Sequence, residues 1–305
     1  MVYWYGGEPT TMPMDYFEDA IQTINGIFNE DKGYEVEHLI LTSLVQTDKK
    51  WFDFIKRHCN GKVQTSYDGH MRGRKYVRDW ELKVREAQFH GLEVSTLTVM
   101  NSEIIKQGAR ATTEYLNGLG IKDTGWLPFM LNEQNMGRNY NRFAPTMDNW
   151  SSFMIEMSQI YADNIKADIP TFEIGQLQFV LTQAYRNDTT SNVAGQTLFL
   201  MPNGDLSLPD YRNGYEEYMR TFGNILESSF EEILASKGRL DYIAKQLTRN
   251  YNEDCLACDS YNRCVMEFWK ENKEDDDCFG GKKYLNWLDQ NIHMFSNIKG
   301  DARLA

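Results

Sequence analysis

Residues 38–68 read HLILTSLVQTDKKWFDFIKRHCNGKVQTSYD. A short apolar run at 38–43 and a second run at 62–68 predict two strands, and the amphipathic stretch between them, 48–58, predicts a helix. Two strands joined by a helix of this length form a parallel pair with a crossover connection. This strand–helix–strand unit indicates an α/β fold.

The same alternation continues on both sides of this unit. Further strands are predicted at 2–5, 92–100 and 124–131, and further helices from about 13, at 76–90, at 102–118 and at 147–166. About five such βα units are too few to close an eight-stranded barrel, so the sequence predicts a partial, open TIM-type barrel over residues 1–185. Ligands of such sheets bind at the C-terminal ends of the strands.

The pattern changes after residue 185. Residues 197–208 predict a two-stranded hairpin that turns at 202–205, where the sequence is PNGD. Helices are predicted at 214–236, 239–249 and 281–295. We therefore expect a small α+β domain over residues 186–305.

Four of the five cysteines lie close together in that second domain. Cys255, Cys258, Cys264 and Cys278 have the spacing Cys-x2-Cys-x5-Cys-x13-Cys. Four thiolates with this spacing can converge on one metal centre, either an iron–sulfur cluster or a structural zinc. The acidic run 274–277 just before Cys278 is interpreted as a solvated loop.

Composition excludes some classes of function. The chain has 305 residues, 32 basic and 44 acidic side chains and a formal net charge of −12. This balance argues against binding to nucleic acid, and no apolar run is long enough to cross a membrane. No leader of the secretory type opens the chain, so we expect a cytoplasmic protein whose cysteines bind metal and do not form disulfides.

Several motifs in fixed order resemble one enzyme family. They are GGEP at 6–9, LTSLVQTDKKW at 41–51, QTSYDGH at 64–70, LTVMN at 97–101, AGQTLFLMPNGDLSLPD at 194–210, FGNILESSF at 222–230 and CFGGKKYL at 278–285. Together they resemble the radical S-adenosylmethionine (AdoMet) enzymes with a cysteine-rich SPASM/twitch-like C-terminal domain. The pattern is most similar to the anaerobic sulfatase-maturating enzymes and related peptide-modifying enzymes.

The resemblance implies roles for individual residues. Gly6, Gly7 and Glu8 would bind the AdoMet amino group, although a Gly-Gly-Glu-Pro sequence can also be a plain turn at the end of a strand. Ser66 would lie near the cofactor, and Arg78 would bind its carboxylate. Asp210, which in the family acts as a base toward the substrate, either keeps that role or caps a turn.

The resemblance also implies a cofactor at the cysteines. It favours one auxiliary 4Fe–4S cluster on Cys255, Cys258, Cys264 and Cys278 over zinc. A second auxiliary cluster of the family is not expected, because its ligand positions are occupied by Asn192, Pro209 and Phe268, which are poor ligands for iron.

The catalytic motif of the family, Cys-x3-Cys-x2-Cys, does not occur in the 305 residues. In the family it lies upstream of GGE, so an active enzyme would require a preceding strand, loop and helix that these 305 residues do not contain. Cys59 cannot replace this motif and is expected to be a buried apolar residue.

Two functions remain open on the sequence. The first is a radical AdoMet oxidoreductase or maturase that abstracts hydrogen from a peptide or protein side chain with a 5′-deoxyadenosyl radical, with an electron-donor protein as a further partner. The second is a degenerate, non-catalytic binding protein that retains one metal cluster. A plain zinc-containing α/β protein with chance motifs is a weaker third reading.

Overall fold

The computed structural model describes residues 1–129, 138–186, 197–209, 219–248, 253–260, 275–278 and 280–295. The chain divides into two compact units. The first comprises Met1–Leu127 and Met157–Gly175, and the second comprises Pro128–Glu156 and Gln176–Ala305. The predicted domain boundary near residue 185 remains a prediction.

The first unit contains a six-stranded sheet in which every neighbouring pair is parallel. Its strands follow each other in the order of the chain: β1 (Val2–Trp4), β2 (His38–Leu41), β3 (Lys62–Ser66), β4 (Glu93–Val99), β5 (Asp123–Leu127) and β6 (Glu173–Ile174). This order, with one crossover between each pair, is that of a partial barrel. The predicted α/β fold is therefore confirmed.

Helices form most of the crossovers. They are α1 (Met14–Ile27), α2 (Lys49–His58), α3 (Arg74–Phe89), α4 (Ser102–Gln107), α5 (Ala109–Gly118), α6 (Arg138–Phe143) and α7 (Met147–Lys166), the last of which contributes residues to both units. The helix predicted at 102–118 is two helices, because Gly108 between them has a φ of 83°, which interrupts helical geometry.

The sixth strand was not predicted. Glu173 pairs with Asp123 and Ile174 with Thr124, so the strand is only two residues long. A run this short carries no period-2 pattern that could distinguish it from a loop. It is followed by α8 (Gly175–Arg186).

The core of the first unit lies between the sheet and its helices. Val63, Val94, Trp126 and Ile174 alternate with less buried residues along their strands and are almost fully buried. Trp80 of α3 is also buried, and its indole nitrogen donates to Thr65 Oγ1 at 3.1 Å. Burial of each of these side chains contributes roughly 2 kcal/mol, so packing holds the strand ends in fixed positions.

The second unit contains a three-stranded antiparallel sheet. The predicted hairpin is present as β7 (Phe199–Leu200) and β8 (Asp205–Pro209). A third strand, β9 (Met219–Asn224), pairs with β8. The helix predicted at 214–236 is therefore wrong over this segment, because pairing with a distant strand overrides the local pattern.

The remaining helices of the second unit agree with the sequence reading. They are α9 (Phe230–Leu234), α10 (Lys237–Thr248), α11 (Glu253–Leu256) and α12 (Lys282–Asn291), the last followed by a 3-10 turn at Ile292–Phe295. The helices predicted at 239–249 and 281–295 correspond to α10 and to α12 with its 3-10 turn. Leu208 of β8 and Tyr242 of α10 form a small buried cluster. Across the described ranges, no helix has the length and apolar character needed to span a membrane.

Candidate cofactor site and cysteine segment

Glu8 follows β1 and is held by groups from the end of β2. Its Oε1 accepts the hydroxyls of Thr42 at 2.6 Å and Thr10 at 2.7 Å, and its Oε2 accepts the backbone N–H of Ser43 at 2.8 Å. Ser43 lies 35 residues further along the chain. Only the parallel pairing of β1 with β2 brings these groups together, so the sheet itself fixes the orientation of the Glu8 carboxylate.

These bonds control the charge of Glu8. Burial alone would raise its pKa, but the bonds from Ser43, Thr42 and Thr10 outweigh burial and hold the pKa below the ordinary value of a glutamate. Glu8 is therefore an anion at neutral pH. Since a carboxylate oxygen can accept two hydrogen bonds, Oε2 retains capacity for a cationic ligand beside the Ser43 amide.

The loop that supplies the Ser43 amide has an unusual backbone. Leu44 has a φ of 62°, a left-handed conformation that is uncommon for a bulky residue. The Leu44 side chain is completely buried, and its N–H donates to Thr42 Oγ1 at 3.2 Å. Burial and this bond stabilise a conformation that costs roughly 1–3 kcal/mol elsewhere, which is typical of functional loops.

The two glycines before Glu8 are both exposed. Gly6 has a φ of 119°, which favours glycine, and a Cβ atom on either Gly6 or Gly7 would meet no atom within 4 Å. Space around Gly7 is thus open, and a ligand can approach the backbone closely. The structure agrees with the predicted position of this motif at a strand end.

Ser66 ends β3, and the residues that follow it form a second polar group at the same edge of the sheet. Asp68 is buried and forms an ion pair with Arg72 at 2.6 Å between Oδ2 and Nε. Arg72 also donates to the Tyr76 hydroxyl at 3.1 Å. The buried Asn101, which follows β4, donates to the Asp68 carbonyl at 3.1 Å and caps α4.

The pKa of Tyr76 depends on both polar groups, the one around Glu8 and the one around Asp68. Burial raises the pKa of Tyr76, and the charges of Asp68 and Glu8 raise it further against the opposing effect of Arg72. The C-terminal ends of β1, β2 and β3 therefore share one electrostatic environment. Arg72 and Tyr76 were not singled out from the sequence, where the QTSYDGH motif, which contains Asp68, pointed to this edge.

Arg78 occupies a different position from Arg72. It is exposed on α3, and helical geometry places it on the side opposite the buried Trp80. Its predicted role toward a cofactor carboxylate stays a prediction. Arg72, in contrast, is paired with Asp68.

The edge as a whole fits a zwitterionic ligand such as the methionyl part of AdoMet. Glu8 offers an anionic acceptor beside accessible backbone at Gly6 and Gly7. Arg72, whose side chain is 43% exposed, offers guanidinium donors beyond those used by Asp68 and Tyr76. An ammonium and a carboxylate on one small molecule could each find a partner of opposite charge here.

The cysteines of the second unit are described in part. Cys255 lies in α11, and the Cys258 N–H donates to the Cys255 carbonyl at 3.2 Å, so these two cysteines share one turn. Cys278 is half-buried, as are Cys255 and Cys258. The predicted ligand Cys264 and the predicted base Asp210 lie outside the described residues, as do Asn192 and Phe268.

No group of three or more Cys, His, Asp or Glu side chains within the described part of the chain is arranged as a metal site. Convergence of the four cysteines thus remains a prediction. Their chemistry fits an iron–sulfur cluster, since cysteine sulfur is the usual ligand of such clusters and Cys255, Cys258 and Cys278 are not fully buried.

The interpretation of the acidic run as a solvated loop is wrong for two of its members. The Asp276 carboxylate accepts the N–H groups of Met147 at 3.0 Å and Asp148 at 2.8 Å, and Asp277 accepts the Ser151 hydroxyl at 2.5 Å. Only Asp275 among the described residues of the run is exposed. The sequence could not show this, because the partners lie more than 120 residues away.

Cys59 behaves as predicted. It is 1% exposed at the end of α2, and burial raises the pKa of its thiol to about 11. A neutral, enclosed thiol is a poor metal ligand. Cys59 is therefore a core residue.

Comparison with protein families supports the reading of the second unit. Residues 192–259 match the SPASM family, an iron–sulfur cluster-binding domain. Cys255 and Cys258 lie within the matched residues. The predicted SPASM-type sequence and its association with an iron–sulfur cofactor are thus confirmed.

Comparison with solved structures supports the fold of the whole chain. Native anSMEcpe, an anaerobic sulfatase-maturating radical AdoMet enzyme, with bound AdoMet and the Kp18Cys peptide, matches with a TM-score of 0.75 at 16% identity over 97% of this chain and 84% of that chain. The same enzyme with AdoMet and the Cp18Cys peptide matches with a TM-score of 0.74 at 16% identity, over 97% and 86% of the two chains. Native anSMEcpe with bound AdoMet matches with a TM-score of 0.73 at 16% identity, over 97% and 85%.

At these identities the likeness establishes the fold, which is that of a radical AdoMet enzyme with a SPASM region. A search of the curated proteins by sequence found no significant match. The family resemblance predicted from the motifs is confirmed at this level.

Proposed function

We propose that this chain acts as a radical AdoMet enzyme of the SPASM type on a peptide or protein side chain. The observation that carries the proposal is the Glu8 site. Four hydrogen-bond donors keep the Glu8 carboxylate ionised at the strand ends, beside the accessible Gly6 and Gly7. The fold is shared with an enzyme that binds AdoMet. A carboxylate held ionised beside exposed backbone is suited to a cationic ligand.

In this proposal each described residue has a limited task. Glu8 binds the cofactor ammonium, Gly6 and Gly7 leave room for it, and Arg72, together with Ser66, faces the cofactor carboxylate. Arg78 remains the alternative partner for that carboxylate. When bound and reduced, AdoMet supplies the radical that abstracts a hydrogen atom from the substrate.

Cys255, Cys258, Cys264 and Cys278 would hold one auxiliary 4Fe–4S cluster, and Asp210 would accept a proton from the substrate. A peptide substrate is supported by the two anSMEcpe structures that contain bound peptides. An electron-donor protein and a cytoplasmic location belong to the same proposal. The resemblance, more than any contact in this chain, supports these parts.

A second candidate is a binding protein that holds AdoMet or a peptide without turnover. It is favoured by the sequence, because the 305 residues contain no Cys-x3-Cys-x2-Cys run and have Asn192, Pro209 and Phe268 at positions where the family has cysteines. On this second candidate, the chain binds AdoMet without cleaving it.

Anaerobic calorimetry with AdoMet tests the proposal. The chain is first reconstituted with ferrous iron and sulfide, and wild type is compared with Glu8→Gln and with Glu30→Gln as control. Glu30 is exposed and lies in the 3-10 turn Glu30–Lys32, away from these bonds. Loss of a charge-assisted bond predicts roughly tenfold to hundredfold weaker binding for Glu8→Gln and unchanged binding for Glu30→Gln.

Absence of AdoMet binding by wild type, or equal binding by both variants, would refute the Glu8 site. The two candidates are separated by adding dithionite and AdoMet to the reconstituted protein. Formation of 5′-deoxyadenosine supports the enzyme, and binding without this product supports the binding protein.

A further inference from the structure

Cys278 lies in a segment that is hydrogen-bonded to the beginning of α7. We propose that Asp276 and Asp277 form an anchor, made only of protein groups, that holds Cys278 in position before an iron–sulfur cluster is assembled. The role of Cys278 as a cluster ligand rests on the proposed function. The anchor itself rests on the contacts below.

Asp276 caps α7 from a distant part of the chain. The first N–H groups of a helix have no partner within the helix, and those of Met147 and Asp148 donate to Asp276 Oδ2 and Oδ1 at 3.0 and 2.8 Å. A carboxylate at this end is also favoured by the helix dipole. Because α7 is 20 residues long, Asp276 attaches its segment to a large and regular element.

Asp277 connects three parts of the second unit. Its Oδ2 accepts the Ser151 hydroxyl at 2.5 Å and the Lys283 N–H at 3.0 Å, and its Oδ1 accepts the Cys278 N–H at 2.9 Å. One carboxylate therefore contacts α7, α12 and the cysteine backbone. With three donors bound, it serves to position Cys278.

Packing on the other side of Cys278 fixes the same segment. The Gly281 N–H donates to the Cys278 carbonyl at 2.8 Å. Gly281 lies against the Trp150 ring so closely that a Cβ atom would be 2.7 Å from it. Lys283 Nζ adds an ion pair to Asp148 at 2.7 Å. Cys278 is thus held in position by the residues before it and by the residues after it in the sequence.

The anchor has a physical consequence for cluster binding. A ligand that is already ordered loses less conformational entropy when it binds metal, and groups that orient a ligand raise its affinity for metal. The described bonds orient Cys278 specifically. Cys255 and Cys258 share a separate turn, so the anchor supplies one preset ligand to which the others are added.

The same type of substitution, aspartate to asparagine, at three adjacent positions tests the anchor. Asp276→Asn and Asp277→Asn each replace an accepting oxygen with an amide nitrogen. Asp275→Asn is the matched control, because Asp275 is exposed, takes none of these bonds, and has a φ of 63° that asparagine tolerates. Ser151→Ala removes one bond and leaves the helix cap intact, which covers the case that Asp276→Asn does not fold.

Hydrogen exchange on the metal-free chain is the first readout. We expect the amides of Cys278, Gly281 and Lys283, whose acceptors are described above, to be protected in wild type and to exchange roughly tenfold faster in Asp276→Asn and Asp277→Asn, with a smaller change in Ser151→Ala. Asp275→Asn should match wild type. Segment protection that appears in wild type only after iron is loaded would overturn the proposal, as would equal protection in all variants.

Iron retention is the second readout. After reconstitution with ferrous iron and sulfide, the two anchor variants should lose iron to a chelator roughly tenfold faster than wild type and Asp275→Asn. If wild type takes up no iron, the cluster assignment fails while hydrogen exchange still decides the anchor. If wild type binds iron and the variants retain it equally well, the anchor has no role in cluster binding.

Discussion

Two carboxylate sites in this protein, Glu8 and Asp277, use similar bonds for different purposes. Both accept a backbone N–H, and both accept a hydroxyl from a residue far away in the sequence. Asp277 receives donors on both oxygens from α7, α12 and Cys278, in a packed segment. Glu8 stands beside two exposed glycines, with one oxygen bonded only to Ser43 among the bonds described above.

The difference shows how to separate a ligand-binding acid from a structural one. A carboxylate that receives all its hydrogen bonds from its own protein serves to hold the backbone in position. A carboxylate that is held ionised but borders open space is available to a ligand. The residue type alone does not distinguish them, and the acidic run at 274–277 was misread for this reason.

Gly281→Ala should have the largest effect on stability, because it disrupts the packed segment that contains Asp277. Alanine would combine a left-handed φ of 65° with a Cβ atom 2.7 Å from the rigid Trp150 ring. We expect a loss of about 3 kcal/mol or more in the free energy of unfolding, measured by urea denaturation followed by circular dichroism.

The control for that variant is Gly238→Ala in α10. A Cβ atom at Gly238 meets nothing within 4 Å, so alanine should be neutral or stabilise the protein by about 0.5–1 kcal/mol. Equal stabilities of the two variants would contradict the described packing around Cys278.

Thiol modification compares the reactivity of the buried Cys59 with that of Cys258 in the second unit. Because Cys59 is buried and its pKa is raised to about 11, it should react with iodoacetamide at pH 8 at least roughly tenfold more slowly than Cys258 in the metal-free chain. Mass spectrometry of the peptides resolves the sites. Denatured protein, in which all cysteines should react at similar rates, is the control, and rapid modification of native Cys59 would count against its place in the core.

The smallest expected effect is the pH dependence at Glu8. Its folded pKa lies below the unfolded value, so its bonds contribute stability above the unfolded pKa, near 4.5, and this contribution is lost as the pH falls through the folded pKa. Since Glu8 is only half-buried, we expect Glu8→Gln to cost at most about 1 kcal/mol at pH 7. This cost should shrink toward zero as the pH falls below the folded pKa.

Urea denaturation at a series of pH values measures this difference, with Glu30→Gln as the control at an exposed glutamate. A stability difference between wild type and Glu8→Gln that stays constant from pH 7 to pH 3 would mean that the Glu8 charge makes no contribution through these bonds.

Much of the fold was predictable because its signals are local. Strands β1 to β5 and helices α2, α3 and α7 have periodic apolar residues or clear start signals, and their bounds differ little from the structure. The two-residue β6 and the strand β9 were missed, because their backbone bonds depend on partners in other elements. Periodicity cannot report such pairing.

The sequence by itself determined the order of strands β1 to β5 and of the helices between them, the identity of the Gly6–Gly7–Glu8 motif and the supply of four closely spaced thiols. These follow from residue type and spacing, which need no knowledge of distant contacts. Tertiary structure alone decided that Ser43 and Thr42 hold Glu8, that Arg72 faces Asp68, and that two residues of an acidic run anchor Cys278. Each depends on groups that meet only when the sheet and helices pack.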